Sequence, residues 1–160
     1  MIPPTGRALN DAEREALLAD IEDIVQSSHL FKSLDPAGRA ELIESGYVVA
    51  YDPGEVLVRQ GDTGSVMYLV MKGSISVETD KGAGSSITLA ELGRGACVGE
   101  VALLTGGPRT ATVKAIDEVK VVAFEKHRVQ RVIDGYPKVR ALLEAMIEGR
   151  ARQTVEKLIG

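Results

Sequence analysis

The chain reads as an α+β domain that is mainly β: an antiparallel sandwich or barrel with helices before it and a helix pair after it. Three observations carry this. Between Tyr47 and Glu125, short runs rich in β-branched and aromatic residues alternate with Gly, Asp and Pro at near-regular intervals, as in neighbouring antiparallel strands. On both sides of that block, apolar residues recur at helical spacing. One connection, Gly99 to Pro108, breaks the strand pattern in mid-block, and an irregular insertion in a barrel ordinarily serves a site.

Taken in order, Asn10 followed by Glu13 has the form of a capping box, and Leu17, Ile21, Ile24 and Val25 continue it at helical spacing. This spacing predicts one helix that fades near Ser27-Ser28. Asp35-Pro36 opens a second, short helix through Ile43, stopped at Gly46. The predicted strands are YVVAY (47–51), EVLVRQ (55–60), VMYLVMKG (66–73), SISVETD (74–80), SITLAEL (86–92), ATVKAI (111–116) and EVKVVAF (118–124). Asp52-Pro53-Gly54, Gly61-Asp62, Asp80-Lys81-Gly82 and Gly93 supply the turns. After Phe124 the pattern is helical again, broken at Asp134-Gly135-Tyr136-Pro137. The last stretch has apolar positions Val139, Leu142, Leu143, Met146, Ile147, Val155, Leu158 and Ile159, interrupted around Gly149. Glycine inside a helix costs about 1 kcal/mol relative to alanine, so Gly149 marks an expected hinge. The expected organisation is a single domain, 1–160, with N-terminal helices over 1–46, strands over 47–125 and C-terminal helices over 126–160.

Bulk chemistry narrows the function. A net charge of −4 and a pI near 5.3 argue against a nucleic-acid partner, which needs a clustered basic face. The sequence has no apolar run long enough to span a bilayer, and MIPPTGRALN lacks a signal-peptide core. Direct membrane insertion is therefore not expected, and the cytoplasm is the expected compartment. The single cysteine, Cys97, makes no internal disulfide and reads as a small buried residue. His29 and His127 are far apart, fall outside the strands and read as surface or capping residues, and neither His-x-His nor Cys-x-x-Cys occurs. No catalytic residue, metal site or cofactor is expected, and the chain does not read as an enzyme.

The chemistry concentrates in Val98 to Ala115, VGEVALLTGGPRTATVKA. Val101 to Leu104 have the form of one helical turn, whose N-terminal amides and dipole suit an anion. Arg109 adds a planar fork of donors matched to two phosphate oxygens. Gly106-Gly107 permit close approach of the backbone, and Thr110 adds a hydroxyl and an amide. Glu100 would repel a phosphate and is suited to accept hydrogen bonds from ribose hydroxyls. The implied ligand is anionic at one end and hydroxylated at the other. The competing reading of Glu100 and Arg109 is an ion pair that merely closes a loop.

Two motifs, LVRQGDTGSVMYLVMKG (Leu57 to Gly73) and VGEVALLTGGPRTATVKA, resemble the cyclic-nucleotide-binding domain of catabolite-activator-type regulators, cyclic-nucleotide-dependent kinases and gated channels. The second is similar to that family's phosphate-binding cassette, with Val98 where many members carry Phe and Val101 where Leu is frequent. The resemblance implies a β-roll or jelly-roll barrel. It also implies that Glu100 holds the ribose with the Gly99 backbone beside it, that Ala102, Arg109 and Thr110 hold the cyclic phosphate, and that Val101 belongs to the same ligand-binding stretch. Val77 and Leu89 would wall the base, with Thr154 or Arg150 contacting it from the last helix. Thr154 and Arg150 also read simply as a packing residue and part of a solvated helix face.

The expected function is thus a cyclic-nucleotide sensor or regulatory module, with cAMP favoured over cGMP and signalling by movement of the C-terminal helix. Because the chain ends at Gly160, a DNA-binding domain is not expected. The alternatives are a cGMP-binding module, or the regulatory domain of a longer channel, transporter or signalling protein. Expected partners are the cyclic nucleotide, an unidentified effector protein and, through the C-terminal apolar stripe, a second copy of the chain.

Overall fold

In the computed structural model the described residues are 6–82, 84–100, 103, 107–141 and 145. Among the described residues nine strands form two antiparallel sheets. In chain order they are β1 (Arg7–Ala8), β2 (Tyr47–Tyr51), β3 (Val56–Val58), β4 (Val66–Lys72), β5 (Ile75–Gly82), β6 (Ser85–Leu92), β7 (Cys97–Val98), β8 (Thr112–Ala115) and β9 (Val119–Glu125). One sheet runs β1-β2-β9-β4-β7 and the other β3-β8-β5-β6. All seven predicted strands are present. The two-residue strands β1 and β7 are additional, too short to show a period.

The central strands β4 and β9 of the first sheet are buried on both faces, which explains their near-continuous apolar runs. Val119, Val121 and Ala123 of β9 join Val66, Tyr68 and Val70 of β4 in the roll interior. The alternate residues Val122, Phe124, Met67 and Leu69 pack in a second core with the helices. Phe31 and Phe124 meet edge-to-face there, with centroids 5.8 Å apart. The second sheet ends at β6, an edge strand exposed along most of its length.

Four helices precede the roll: α1 (Asp11–Ala19), α2 (Ile21–Ser27), α3 (His29–Ser33) and α4 (Pro36–Glu44). The capping box is complete, with Glu13 N donating to Asn10 Oδ1 and Asn10 N to Glu13 Oε1. The single first helix expected as far as Ser27-Ser28 is instead two segments, α1 and α2, and the short α3 beyond it was not foreseen. At Asp20 the backbone leaves helical geometry (ψ 9°), and the side chain is tied to Arg94 across the molecule. At Ser28 the chain extends and recaps, Ser28 Oγ accepting from Phe31 N at 3.1 Å. Helix α4 matches its forecast: Asp35 caps Gly38 N at 2.8 Å and Pro36 takes the first position. Helix α5 (Lys126–Asp134) follows β9 directly, and residues 137–141 are helical.

Candidate functional site

The site forms where β7 ends. Val98 pairs with Tyr68 of β4, and the chain then turns at Gly99 with φ +84°. Leu103 N donates back to Gly99 O at 3.0 Å, and the Leu103 side chain is buried in the helix-side core. The connection returns as Gly107, Pro108 and Arg109 alongside the β3–β4 turn. Thr63 bridges Pro108, Arg109 N donates to Asp62 O at 2.8 Å, and Gly61 N donates to Arg109 O at 2.8 Å. Gln60 N adds a bond to Thr112 Oγ1 at 3.0 Å. The backbone of Arg109 is therefore stitched to a turn some fifty residues earlier.

Its side chain points inward, and the residue is 7% exposed. Nη1 donates to Gly99 O at 3.1 Å and Nη2 to Val66 O at 2.5 Å. Two glycines clear the space. A Cβ on Gly99 would collide with Nη1, and a Cβ on Gly64 would fall on Nε, Nη2 and Cζ. Burial pulls the Arg109 pKa below its ordinary value, opposed by the nearby Tyr68 phenol. Tyr68 stacks edge-on against Tyr51 at 6.3 Å. Burial, then Tyr68, pushes the Tyr51 phenol up, and burial, then Glu125, pushes Tyr47 up to about 12.

Glu100 is 5% exposed and is gripped from the helical layer. Ser28 Oγ donates to Oε2 at 2.5 Å and His29 N to Oε1 at 3.0 Å. These bonds and the two carbonyl bonds of Arg109 engage separate partners, so they lend nothing to the loop-closing ion-pair reading. His29, expected at the surface or at a helix cap, is the half-buried first residue of α3, and its Nδ1 is enclosed without a hydrogen-bond partner among the described residues. His127 is exposed and lies 3.4 Å from Glu125. Cys97 is half-buried.

Of the residues singled out from the sequence, Gly99, Glu100 and Arg109 come together, and Thr110 lies exposed beside them. Val77 sits on β5, partly buried against the roll interior. Leu89 is 37% exposed on β6, the extra residue of a register shift in which Val77 opposes Ala90 and Glu78 opposes Thr88. Val101, Ala102, Arg150 and Thr154 lie outside the described residues, as do the Gly149 hinge and the later part of the C-terminal stripe. Sequence reasoning missed Ser28, His29, Gly64, Val66 and Tyr68. Gly64 had a signal, the second glycine of GDTG, whereas Val66 contributes a carbonyl and leaves none. Among the described residues no cluster of His, Cys, Asp or Glu could hold a metal, and no helix is long and apolar enough to cross a membrane.

The described geometry offers a buried cation, a buried carboxylate and a glycine-lined turn between them. The sequence model of the family described as "Cyclic nucleotide-binding domain" matches residues 48–136, more than half of the chain. The cAMP-dependent protein kinase regulatory subunit of Dictyostelium discoideum is 32% identical over 136 residues, covering 78% of this chain and 42% of that protein. This chain thus spans less than half the length of that relative. The N-terminal domain of a transcriptional regulator from Streptomyces coelicolor superposes with a TM-score of 0.69 at 31% identity, covering 86% of this chain and 96% of that one. Thermus thermophilus catabolite activator protein gives a TM-score of 0.69 at 30% identity, covering 82% of this chain and 62% of that one. The chain belongs to the cyclic nucleotide-binding domain family, with that family's mainly β roll flanked by helices.

Proposed function

We propose that the chain is a non-enzymatic sensor for cAMP, whose occupancy is passed to an effector protein through the C-terminal helix. The observation that carries this is the state of Arg109. Its described hydrogen bonds go to two neutral carbonyl oxygens, which aim the guanidinium without cancelling its charge. A buried cation so held is complemented by an anion, and the planar fork suits two phosphate oxygens. Glu100 takes the ribose hydroxyls, with the Gly99 backbone beside it. The Ala102 amide and Thr110 complete the phosphate contacts, with Val101 in the same ligand-binding stretch. Val77 and Leu89 wall the base, and Arg150 or Thr154 closes over it. The name of the Dictyostelium relative favours cAMP as the ligand.

Calorimetric titration of cAMP, cGMP and a cyclic dinucleotide into the ligand-free chain tests this. Saturable binding with cAMP tightest is expected. Absence of binding to all three overturns the reading, and a preference for cGMP redirects it to the exposed Thr110 hydroxyl, which could reach a syn guanine. Movement of the last helix is tested separately by hydrogen exchange over residues 146–158, which should slow when cAMP saturates the site.

A further inference from the structure

Two glycines touch the Arg109 guanidinium, and they differ in one respect. Gly99 has φ +84°, a conformation that would demand glycine with or without the arginine. Gly64 has no such reason. Its φ lies outside the left-handed region, so its backbone suits any residue. What stands where its Cβ would be is the side chain of Arg109, with Nε, Nη2 and Cζ all inside contact distance. The same turn holds the Arg109 backbone through Asp62 O and Gly61 N, and Val66, two residues on, receives Nη2.

We infer that Gly64 is a positioning residue for the anion site: its bare backbone is the surface against which the Arg109 guanidinium lies at the angle a phosphate needs. With Nη1 and Nη2 each giving one proton to a carbonyl, a flat wall at Gly64 leaves the plane of the fork a single orientation. A methyl group there displaces the guanidinium and breaks the bond to Val66 O, while the local backbone is unstrained. The inference rests on the proposed role of Arg109 for its ligand part, but its packing part does not need the ligand.

The test is a double-mutant cycle of Gly64→Ala and Arg109→Ala, each chain assayed by thermal unfolding without ligand and by calorimetry with cAMP. In the wild-type background, Gly64→Ala should weaken cAMP binding at least about tenfold, the scale of one misaligned charge-assisted contact. In the Arg109→Ala background the same substitution should leave the melting temperature unchanged or raise it, because alanine for glycine at an unstrained position restricts the unfolded chain. Wild-type affinity in the Gly64→Ala protein overturns the inference. So does an equal loss of melting temperature in both backgrounds, which would mean that the glycine serves the turn and not the arginine. If the wild-type chain binds no cyclic nucleotide, the functional reading fails by itself, and the unfolding arm still decides whether Gly64 exists for Arg109.

Discussion

The Ser28 hydroxyl donates to Glu100 Oε2 at 2.5 Å across 72 residues of sequence, and the same oxygen caps Phe31 N. One side chain therefore closes the helical layer and anchors the carboxylate at the site. Replacing it removes a bond to a buried charge and a helix cap together. Ser28→Ala should lower stability by about 2–3 kcal/mol, whereas Ser33→Ala, which loses one bond to a backbone carbonyl, should cost about 1 kcal/mol or less. Urea unfolding of the two variants makes the comparison.

Arg109→Ala should weaken cyclic-nucleotide binding by about 2–4 kcal/mol, because a charge-assisted contact in a buried setting is lost. Arg109→Lys should recover little of it. An ammonium cannot place two donors on Gly99 O and Val66 O and keep a fork for the ligand. Calorimetry on both variants reads this directly.

Gly99→Ala and Gly82→Ala separate strain from collision. Both positions have positive φ, +84° and +91°, so both pay the left-handed penalty of about 1 kcal/mol. Only at Gly99 does the new methyl meet a guanidinium, while at Gly82 nothing lies within 4 Å. Gly99→Ala should therefore be the more destabilising by at least about 1 kcal/mol, and it alone should weaken ligand binding.

The pH dependence has a named source. Hydrogen bonds from Arg7 hold the Glu13 carboxyl at about 2 against the opposing effect of burial, helped by Asn10 N and Lys120. In the unfolded chain a glutamate titrates near about 4.3. The unfolded state thus binds the proton first as pH falls. The stabilisation is fully present above the unfolded value and is lost as pH drops through about 2. Arg7 is half-exposed, so water screens the pair, and Glu13→Gln should cost only about 1 kcal/mol at pH 7. The difference from wild type should vanish towards pH 2 in unfolding experiments across that window.

Phe124 is fully buried and sits edge-on to Phe31, joining β9 to the helical layer. Phe124→Ala should cost about 3–5 kcal/mol in denaturant unfolding, since the sheet and helices around it cannot close over the cavity.

Most of the strands were legible along the chain because β4 and β9 carry long apolar runs and the turns between strands carry Gly, Asp and Pro. Their order in the sheets was not legible, since most neighbours in each sheet are distant in sequence. Capping chemistry likewise announced α1 at Asn10 and α4 at Asp35. Segments of two to five residues, β1, β7 and α3, gave no sign, since a period cannot show in so short a stretch. Glu100, Arg109 and Gly99 could be picked out because charge type and glycine spacing are local properties. What holds them could not. Ser28 and His29 reach Glu100, and Gly64 and Val66 shape the seat of Arg109, through contacts spanning more than forty residues, two of them made by main-chain atoms that every residue possesses. The amino-acid sequence alone determined which candidate groups the site contains, because side-chain identity is written residue by residue. Only the folded chain decided their orientation and burial, because a guanidinium is aimed by whichever backbone the sheets bring against it.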